Sequence, residues 1–441
     1  MGNNIIEPRV LKGFRDFLPD QELRRKKIEN TLIETFETYG FVPIDTPILE
    51  YTDVLLGKGG GETDKQVYRF TDHGDRDVAM RFDLTVPFAR YMASHRQELY
   101  TPFRRYHIGK VWRGENTQRG RYREFAQCDF DIVGTDSVSA DFEILLLMKR
   151  SLEALGVSRL KIHVSDRHLF TAFLNNLGLA ERSVEILRSV DKLQKIGKEE
   201  VVSQLSEYTD LSAAEKIVDF ITPEKDWHQT MDKCRRLLGG DAWAADRLGL
   251  IYQLIKDLDI EETFYFDPSI TRGLDYYTGT VFETFLTDYR EIGSVCSGGR
   301  YDNLTSLYIK EKLPGVGSSI GIDRLITALE HLGVADFARP AVGVLIFCLD
   351  PGYISYYYKI AEQLRNKGLT AEVYPEKKKL SQQFQYAEKK GIPCGIFCGE
   401  DERQTDTVNV KDLITRESFD KITVEKGIKK IMEIVSKHET S

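Results

Sequence analysis

The sequence predicts an α+β chain in which a strand-containing first part is interrupted by a helical segment and followed by an α/β region. Two strand-like runs flank a charged, glycine-containing tip between residues 105 and 133, which is the pattern of an antiparallel hairpin. Residues 161–262 are mostly helical and leucine-rich. From Ala341 onward, strand patterns alternate with helical ones, which indicates a mainly parallel sheet with helices on its faces.

The composition is that of an ordinary globular protein. The 441 residues are enough for two or three domains, and 41% of them are hydrophobic and 29% charged. A net charge of −8 argues against indiscriminate nucleic-acid binding, so any RNA contact must use a local basic patch. With no apolar signal region and no run long enough to span a bilayer, we expect a cytoplasmic protein without membrane contact.

The cysteines predict no metal site. They lack the spacing of zinc ligands, and we expect buried, reduced thiols. The six are Cys128, Cys234, Cys296, Cys348, Cys394 and Cys398.

The chain opens with a predicted helix over residues 21–39, closed by Gly40, because apolar residues recur there at helical spacing. An extended strand with prolines follows over residues 41–50. Taken alone, Pro47 favours an edge strand whose hydrogen-bond ladder the prolines block.

Two glycine-rich segments do not match the nucleotide-binding loops of parallel α/β folds. Residues 57–65 lack the Lys-Ser/Thr pair of a P-loop, and their composition is also that of a flexible connector. Residues 315–321 carry Ile320 where the dinucleotide fingerprint needs glycine.

Positive charge concentrates in the predicted hairpin. Between Arg104 and Arg123 there are seven lysines and arginines, and Glu115 is the single acidic residue. Because the forked guanidinium of arginine suits phosphate oxygens, the hairpin is predicted to hold a polyanion, the alternative being a solvated hairpin with scattered cations. A shorter basic cluster at residues 377–379 either contacts RNA or is solvated.

Residues 272–283 and 297–304 contain the most unusual combination of side chains. The first combines a cation, Arg272, an acceptor, Asp275, and two adjacent tyrosines, which together suit a small, polar, ring-bearing anion. The second has adjacent glycines that let a backbone approach a ligand closely. The two segments closely resemble the signature segments of histidyl-tRNA synthetases, a family that activates histidine with ATP and loads it onto tRNA.

The resemblance covers essentially the whole chain and implies its domain organisation. It implies an antiparallel-sheet catalytic domain in two parts, residues 1–160 and 263–335, and a C-terminal α/β anticodon-binding domain over residues 340–441. The helical residues 161–262 resemble the insertion that clamps the tRNA acceptor arm. Residues 21–50 resemble the first motif of second-class synthetases, which implies a homodimer. Residues 57–65 resemble the mobile loop that closes over the amino-acid pocket.

The resemblance also implies the site residues. An imidazole presents two nitrogens, so a selective pocket must bond both ends of the ring, here through Asp131 and Tyr277. The residues implied for histidine are Asp83, Thr85, Gln127, Asp131, Arg272, Tyr276, Tyr277 and Tyr301. Those implied for ATP are Arg113, Glu115, Arg121, Phe125 and Arg324, with Mg²⁺ on the outer phosphates. Arg113 and Arg272 are the implied catalytic residues.

The chain departs from many bacterial members of the family at specific positions. Asp83 and Asp131 stand where those members carry glutamate, and the surrounding segments look more like the eukaryote-type branch. Asn116 and Thr117 replace a common Arg-Pro, which leaves the contacts with the tRNA end undetermined.

Two other functions are compatible with parts of the sequence. One is a non-catalytic, synthetase-like regulatory subunit that senses histidine or tRNA, and the other is a small-molecule ligase that uses ATP. Retention of Arg113, Arg272, Tyr277 and Arg324, together with the terminal domain, favours the enzyme.

Overall fold

The computed structural model describes residues 6–57, 65–190, 192–239, 243–270, 277–334 and 341–439. The chain divides into two compact units, the first formed by Met1–Leu18 and Arg25–Asp336, and the second by Pro19–Arg24 and Phe337–Ser441. Within these described ranges, no helix is long and apolar enough to cross a membrane.

The described part of the chain up to residue 334 contains both helices and strands. The helices are α1 Pro19–Thr38, α2 Thr52–Leu56, α3 Thr85–Ser94, α4 Val138–Ala154, α5 Arg167–Asn176, α6 Ser183–Val190, α7 Leu193–Leu205, α8 Leu211–Ile221, α9 Trp227–Leu238, α10 Trp243–Asp257 and α11 Ile322–Leu332. The strands are β1 Val42–Pro43, β2 Leu49–Tyr51, β3 Arg69–Thr71, β4 Asp77–Met80, β5 Phe103–Trp112, β6 Glu124–Val133, β7 Leu160–Asp166, β8 Phe264–Phe266, β9 Thr280–Leu286, β10 Cys296–Tyr301 and β11 Gly315–Gly321.

The predicted antiparallel sheet is confirmed. Among the described residues its strand order is β1-β5-β6-β11-β10-β9-β7-β8. Neighbouring strands are antiparallel except for the outer pairs β1–β5 and β7–β8, which are parallel. Strands β2, β4 and β3 form a separate small sheet.

Two predicted element boundaries are corrected. The extended segment over residues 41–50 is broken into β1 and β2, which belong to different sheets. The helical segment does not begin at Lys161, because Leu160–Asp166 pairs with β9 along its full length; helices begin at Arg167.

The core of the first unit lies on one face of β6. Cys128 and Phe130 are completely buried there, and the Phe130 ring is 4.9 Å from that of Phe36 on α1. Their neighbours Gln127 and Asp129 point to the opposite face, because successive side chains of a strand alternate. One face of β6 therefore packs in the core, and the side chains of its other face are available to form a site.

The second unit contains a five-stranded sheet in the described residues, in the order β13-β12-β14-β15-β16. Its elements are β12 Val344–Ile346, α12 Ile354–Arg365, β13 Ala371–Val373, α13 Leu380–Lys389, β14 Cys394–Phe397, α14 Glu400–Thr405, β15 Thr407–Asp412, β16 Ser418–Thr423 and α15 Val424–Glu439. The predicted α/β alternation is confirmed, but the sheet is mixed, since β15 and β16 are antiparallel additions.

Both faces of the central strand β12 are buried, as expected for a parallel strand between helices. Val344 and Ile346 pack with residues of α12 and α15, while Leu345 packs in a second cluster with Ala387 of α13. All six cysteines of the chain are buried free thiols, as predicted. In the basic cluster, Lys378 forms a 2.8 Å ion pair with Glu376.

Candidate active site

A cavity of about 790 Å³ lies over the face of the large sheet that β6 leaves unpacked. It brings together every sequence-predicted site residue that the structure describes. These are Asp83, Thr85, Arg113, Glu115, Arg121, Phe125, Gln127, Asp131, Tyr277, Tyr301 and Arg324. The other two, Arg272 and Tyr276, lie outside the described residues.

Strand β6 determines the long axis of the cavity. Phe125, Gln127, Asp129 and Asp131 alternate along it and all line the cavity. At about 3.3 Å per residue, the six steps from Phe125 to Asp131 cover roughly 20 Å. The strand thus presents an aromatic ring, an amide and two carboxylates in a fixed linear order.

The hairpin contributes the cationic end of the cavity. The Arg113 Nε donates a 2.9 Å hydrogen bond to the Phe82 carbonyl, and its guanidinium lies 5.2 Å from the centre of the Phe125 ring. The Glu115 carboxylate is 3.9 Å from both Arg113 and Arg121. These contacts fix Arg113 and leave Arg121 half exposed at the mouth.

Arg324 reaches the same end from the start of α11. The Ala126 N–H donates a 2.8 Å hydrogen bond to the Asp323 carboxylate, which joins the helix to β6 beside Phe125. Arg15 forms an ion pair with the same carboxylate. Burial, together with the nearby Arg121 charge, lowers the pKa of the Arg324 guanidinium to about 10.

Fewer of the hairpin cations reach the cavity than the sequence indicates. Arg104 forms a bidentate pair with Glu143, and Lys110 is 2.8 Å from Glu124. Neither cation lines the cavity. The count over residues 104–123 left out both partners, because Glu124 begins β6 and Glu143 lies on α4.

The opposite end of the cavity is acidic and buried. The Asp131 side chain is 4% exposed, and the Tyr301 hydroxyl donates a 2.6 Å hydrogen bond to its Oδ1. Burial raises the pKa of Asp131 to about 6, although the Arg105 charge and the Tyr301 hydrogen bond oppose that rise. Gly317 stands opposite Asp131 in the β6–β11 register, and a Cβ there would be 1.8 Å from Oδ1.

Polar groups between the two ends are held by local hydrogen bonds. Asp83 Oδ1 accepts a 3.0 Å hydrogen bond from the Val86 N–H in the first turn of α3, the capping role that its position in the sequence permits. Gln127 Nε2 donates to Ser319 Oγ at 2.9 Å, and its Oε1 has no hydrogen-bond partner among the described residues. That amide oxygen is a buried acceptor on the cavity wall.

Sequence reasoning missed Asp129. It is 2% exposed and lines the cavity between Gln127 and Asp131, and its Oδ2 is 3.4 Å from the Thr85 hydroxyl. Burial raises its pKa. The alternation of side chains along β6 was the signal that could have identified it.

Tyr277, within the first signature segment, is anchored through its backbone. Its carbonyl accepts a 2.7 Å hydrogen bond from Arg167 Nη1, at the start of α5. The missed pair His163 and Asp267, 2.7 Å apart, also lines the cavity.

Known proteins resemble this chain over nearly its whole length. The profile of the family described as histidyl-tRNA synthetase matches residues 13–325, and that of the anticodon binding domain matches residues 343–434. A Treponema denticola protein named histidine–tRNA ligase is 51% identical, covering 97% of this chain and 99% of its own. A Treponema pallidum protein of the same name is 49% identical, covering 89% and 90%. The crystal structure of histidyl-tRNA synthetase from Nostoc sp. PCC 7120 has a TM-score of 0.87 at 31% identity, covering 97% of this chain and all of that one.

Proposed function

The chain belongs to the histidyl-tRNA synthetase family, and we propose on that basis that it is a histidine–tRNA ligase. It activates L-histidine with ATP to histidyl-adenylate and pyrophosphate, then transfers histidine to the 3′ end of its tRNA. The observation that carries this proposal is the order of side chains along β6. An adenine-sized aromatic surface with Arg113 beside it, an amide acceptor and buried carboxylates succeed one another over the length of an aminoacyl-adenylate.

Histidine occupies the acidic end in this proposal. Asp131 accepts a hydrogen bond from one ring nitrogen and Tyr277 bonds the other, while Tyr301 holds the Asp131 carboxylate. Asp83, Thr85 and Gln127 accept the α-ammonium group. Tyr276 and Arg272 complete the pocket from the first signature segment.

ATP occupies the cationic end. Phe125 stacks on one face of adenine and Arg324 on the other, which the hydrogen bond from Ala126 to Asp323 supports by fixing α11 beside β6. Arg113 contacts the α-phosphate, and Arg121 and Glu115 lie on the side of the outer phosphates.

Activation is an in-line displacement at phosphorus. An oxygen of the histidine carboxylate forms the new bond to the α-phosphorus as the bond to the bridging oxygen of pyrophosphate breaks, and pyrophosphate leaves with that electron pair. No general base is needed, because the carboxylate is ionised at neutral pH. Arg113 and Arg272 stabilise the developing charge, and loss of one such donor costs about 3–4 kcal/mol in the barrier.

In the second step the terminal ribose hydroxyl of tRNA attacks the histidyl carbonyl. The new ester bond forms, the bond to the phosphate oxygen breaks, and AMP leaves with that electron pair, while the hydroxyl proton passes to a phosphate oxygen or to water. The substrate and not the protein therefore supplies the nucleophile in both steps.

Mg²⁺ enters this scheme with ATP. Among the described residues, no three His, Cys, Asp or Glu side chains converge as metal ligands, although Glu115 and Glu283 line the cavity. That donor set fits an ion held mainly by phosphates and water, with one or two carboxylates nearby. Bound there, Mg²⁺ would neutralise charge on the outer phosphates.

The other regions contact tRNA in this proposal. Residues 161–262 clamp the acceptor arm, and residues 340–441 bind the anticodon, which the matched anticodon-binding profile supports. Residues 1–160 and 263–335 form the catalytic core. The protein acts as a cytoplasmic homodimer whose interface includes residues 21–50. The relatives give no support to a regulatory, non-catalytic role.

Exchange of labelled pyrophosphate into ATP, with each amino acid and without tRNA, tests the activation step. We expect exchange with histidine alone and a loss of about a hundred- to thousandfold in Arg113→Ala and in Arg272→Ala. Arg104→Ala is the matched control, because Arg104 pairs with Glu143 away from the cavity. Histidine binding without exchange in the native protein would contradict the proposal and support the regulatory role.

A further inference from the structure

Arg105 is a buried cation whose position the proposed reaction does not explain. It lies on β5 opposite Asp131 in the hairpin register and is 0% exposed. Its Nη2 is 2.7 Å from Asp131 Oδ2, and its guanidinium lies 4.0 Å from the centre of the Phe88 ring. Apart from this ion pair, its side-chain nitrogens have no polar partner within the described ranges.

Burying a charged side chain costs free energy, and a role for the charge would explain why an arginine is found there. A buried ion loses its hydration, and a well-packed apolar side chain in the same place is often as stable or more stable. Arg105 does not use its donors to connect backbone segments, as Arg81 does by donating to the Lys110 and Thr46 carbonyls. Its contribution is therefore its charge beside Asp131.

The two Asp131 oxygens have separate neighbours. Oδ1 accepts from Tyr301, and Oδ2 lies against Arg105. A carboxylate fixed at both oxygens keeps one orientation, and each oxygen retains a second lone pair for a ligand. Without the cation, burial beside the neighbouring Asp129 would favour the protonated form, which offers a donor in place of an acceptor.

We propose that Arg105 is a positioning residue for amino-acid selection: it holds Asp131 ionised and oriented, so that the cavity selects a side-chain ring presenting an N–H donor. This inference rests on the proposed function, because it requires Asp131 to contact the ring of the substrate. An amino acid with a ring of similar size that lacks the N–H, such as thiazolylalanine, is rejected because the carboxylate then meets an acceptor or a C–H group.

Arg105→Met tests the proposal, with Arg104→Met as the matched control one residue along the strand on a surface pair. We expect the histidine KM for pyrophosphate exchange to rise about 10- to 100-fold in Arg105→Met. The ATP KM should not change, and histidine should lose its advantage over thiazolylalanine. Arg105→Lys, which keeps the charge without the planar fork, should restore most of the discrimination.

A double variant keeps the test decisive if Arg105→Met alone does not fold. Arg105→Met with Asp131→Asn removes both members of the ion pair, so that neither is left buried without the other. Because Arg105 acts through Asp131, its histidine KM should equal that of Asp131→Asn alone. Additive effects of the two substitutions, or a native histidine KM in folded Arg105→Met, would overturn the proposal.

Calorimetric titration of histidine without ATP separates this inference from the proposed function. Native protein that binds histidine without exchanging pyrophosphate contradicts the enzymatic activity, yet Arg105→Met must still weaken that binding. Equal histidine affinities in the native protein and folded Arg105→Met would overturn the role of Arg105 alone.

Discussion

The Tyr301 hydroxyl and the Asp131 carboxylate form a 2.6 Å hydrogen bond inside the cavity, joining the second signature segment to the hairpin strand. Both side chains are buried. The backbone opposite Tyr301 is Gly315, where a Cβ would be 2.5 Å from the tyrosine ring. The glycines Gly315 and Gly317 therefore make room for the Tyr301 and Asp131 side chains.

Tyr301→Phe should weaken histidine binding specifically. A hydrogen bond to a charged group contributes about 1.5–3 kcal/mol, so we expect the histidine KM to rise about 10- to 100-fold while the ATP KM stays constant. Tyr308→Phe is the matched control, since the Tyr308 hydroxyl donates to the Val54 carbonyl and does not line the cavity. Identical histidine KM values in native protein and Tyr301→Phe would show that this hydrogen bond does not support recognition.

Gly317→Ala should obstruct the acidic end of the cavity, where we propose that histidine binds. Its Cβ would be 1.8 Å from Asp131 Oδ1 and would force that carboxylate to move. We expect histidine binding by calorimetry to be lost, with destabilisation of about 1–3 kcal/mol. Gly249→Ala, whose Cβ would meet its nearest neighbour at 3.7 Å, should keep native affinity. Retained affinity in Gly317→Ala would place the ring of histidine elsewhere.

His107 should make the protein sensitive to acid. Burial and the charges of Arg105 and Arg81 lower its pKa to about 3, and these effects outweigh Asp45 at 3.0 Å. In the unfolded chain the pKa is about 6.5, so between these values the unfolded state binds the extra proton and stability falls as pH falls.

The test compares native protein with His107→Gln at about pH 7.5 and about pH 5. The native protein should lose roughly 2 kcal/mol more stability than the variant over this interval, measured by urea unfolding. Asp131 has the opposite sign, because its raised pKa stabilises the folded state as pH falls through about 6, and it contributes equally to both proteins. Equal pH dependence in the two would exclude His107 as the cause.

Asp141 should be essential to the fold, and Asp136 should not. The buried Asp141 carboxylate accepts hydrogen bonds from Arg300 at 2.7 and 2.9 Å and from Arg247 at 2.7 Å, linking α4, β10 and α10. Asp141→Ala leaves two arginines without that partner and should cost about 3–5 kcal/mol. Asp136, 69% exposed, contacts the same arginines, and Asp136→Ala should cost at most about 1 kcal/mol. Similar melting temperatures for both variants would contradict this ranking.

Much of the fold could be predicted from the sequence, because local patterns specify local structure. Helical spacing predicted α1 within two residues at its start, and the charged tip predicted the β5–β6 hairpin. Strand β7 was hidden in a predicted helical segment, because its place in the sheet depends on pairing with β9, more than a hundred residues along the chain.

The site residues that belong to the family motifs could be predicted from the sequence. Those whose role depends on contacts between distant parts of the chain could not. Asp131 and Arg324 follow from the resemblance, and both line the cavity. Arg105 was counted as one of the hairpin cations available to a polyanion, but it is fully buried against Asp131. The partnership of His163 with Asp267 depends on parallel pairing of β7 with β8, which no local pattern reveals.

Charging of tRNA tests the central claim most directly. The purified native protein is incubated with ATP, total tRNA and each of several labelled amino acids, and acid-precipitable, alkali-labile label is counted. We predict that histidine alone becomes attached to tRNA, that the label depends on ATP, and that Arg113→Ala lowers the rate of attachment about a hundred- to thousandfold. Attachment of another amino acid, or none with a protein that binds histidine, would contradict the account.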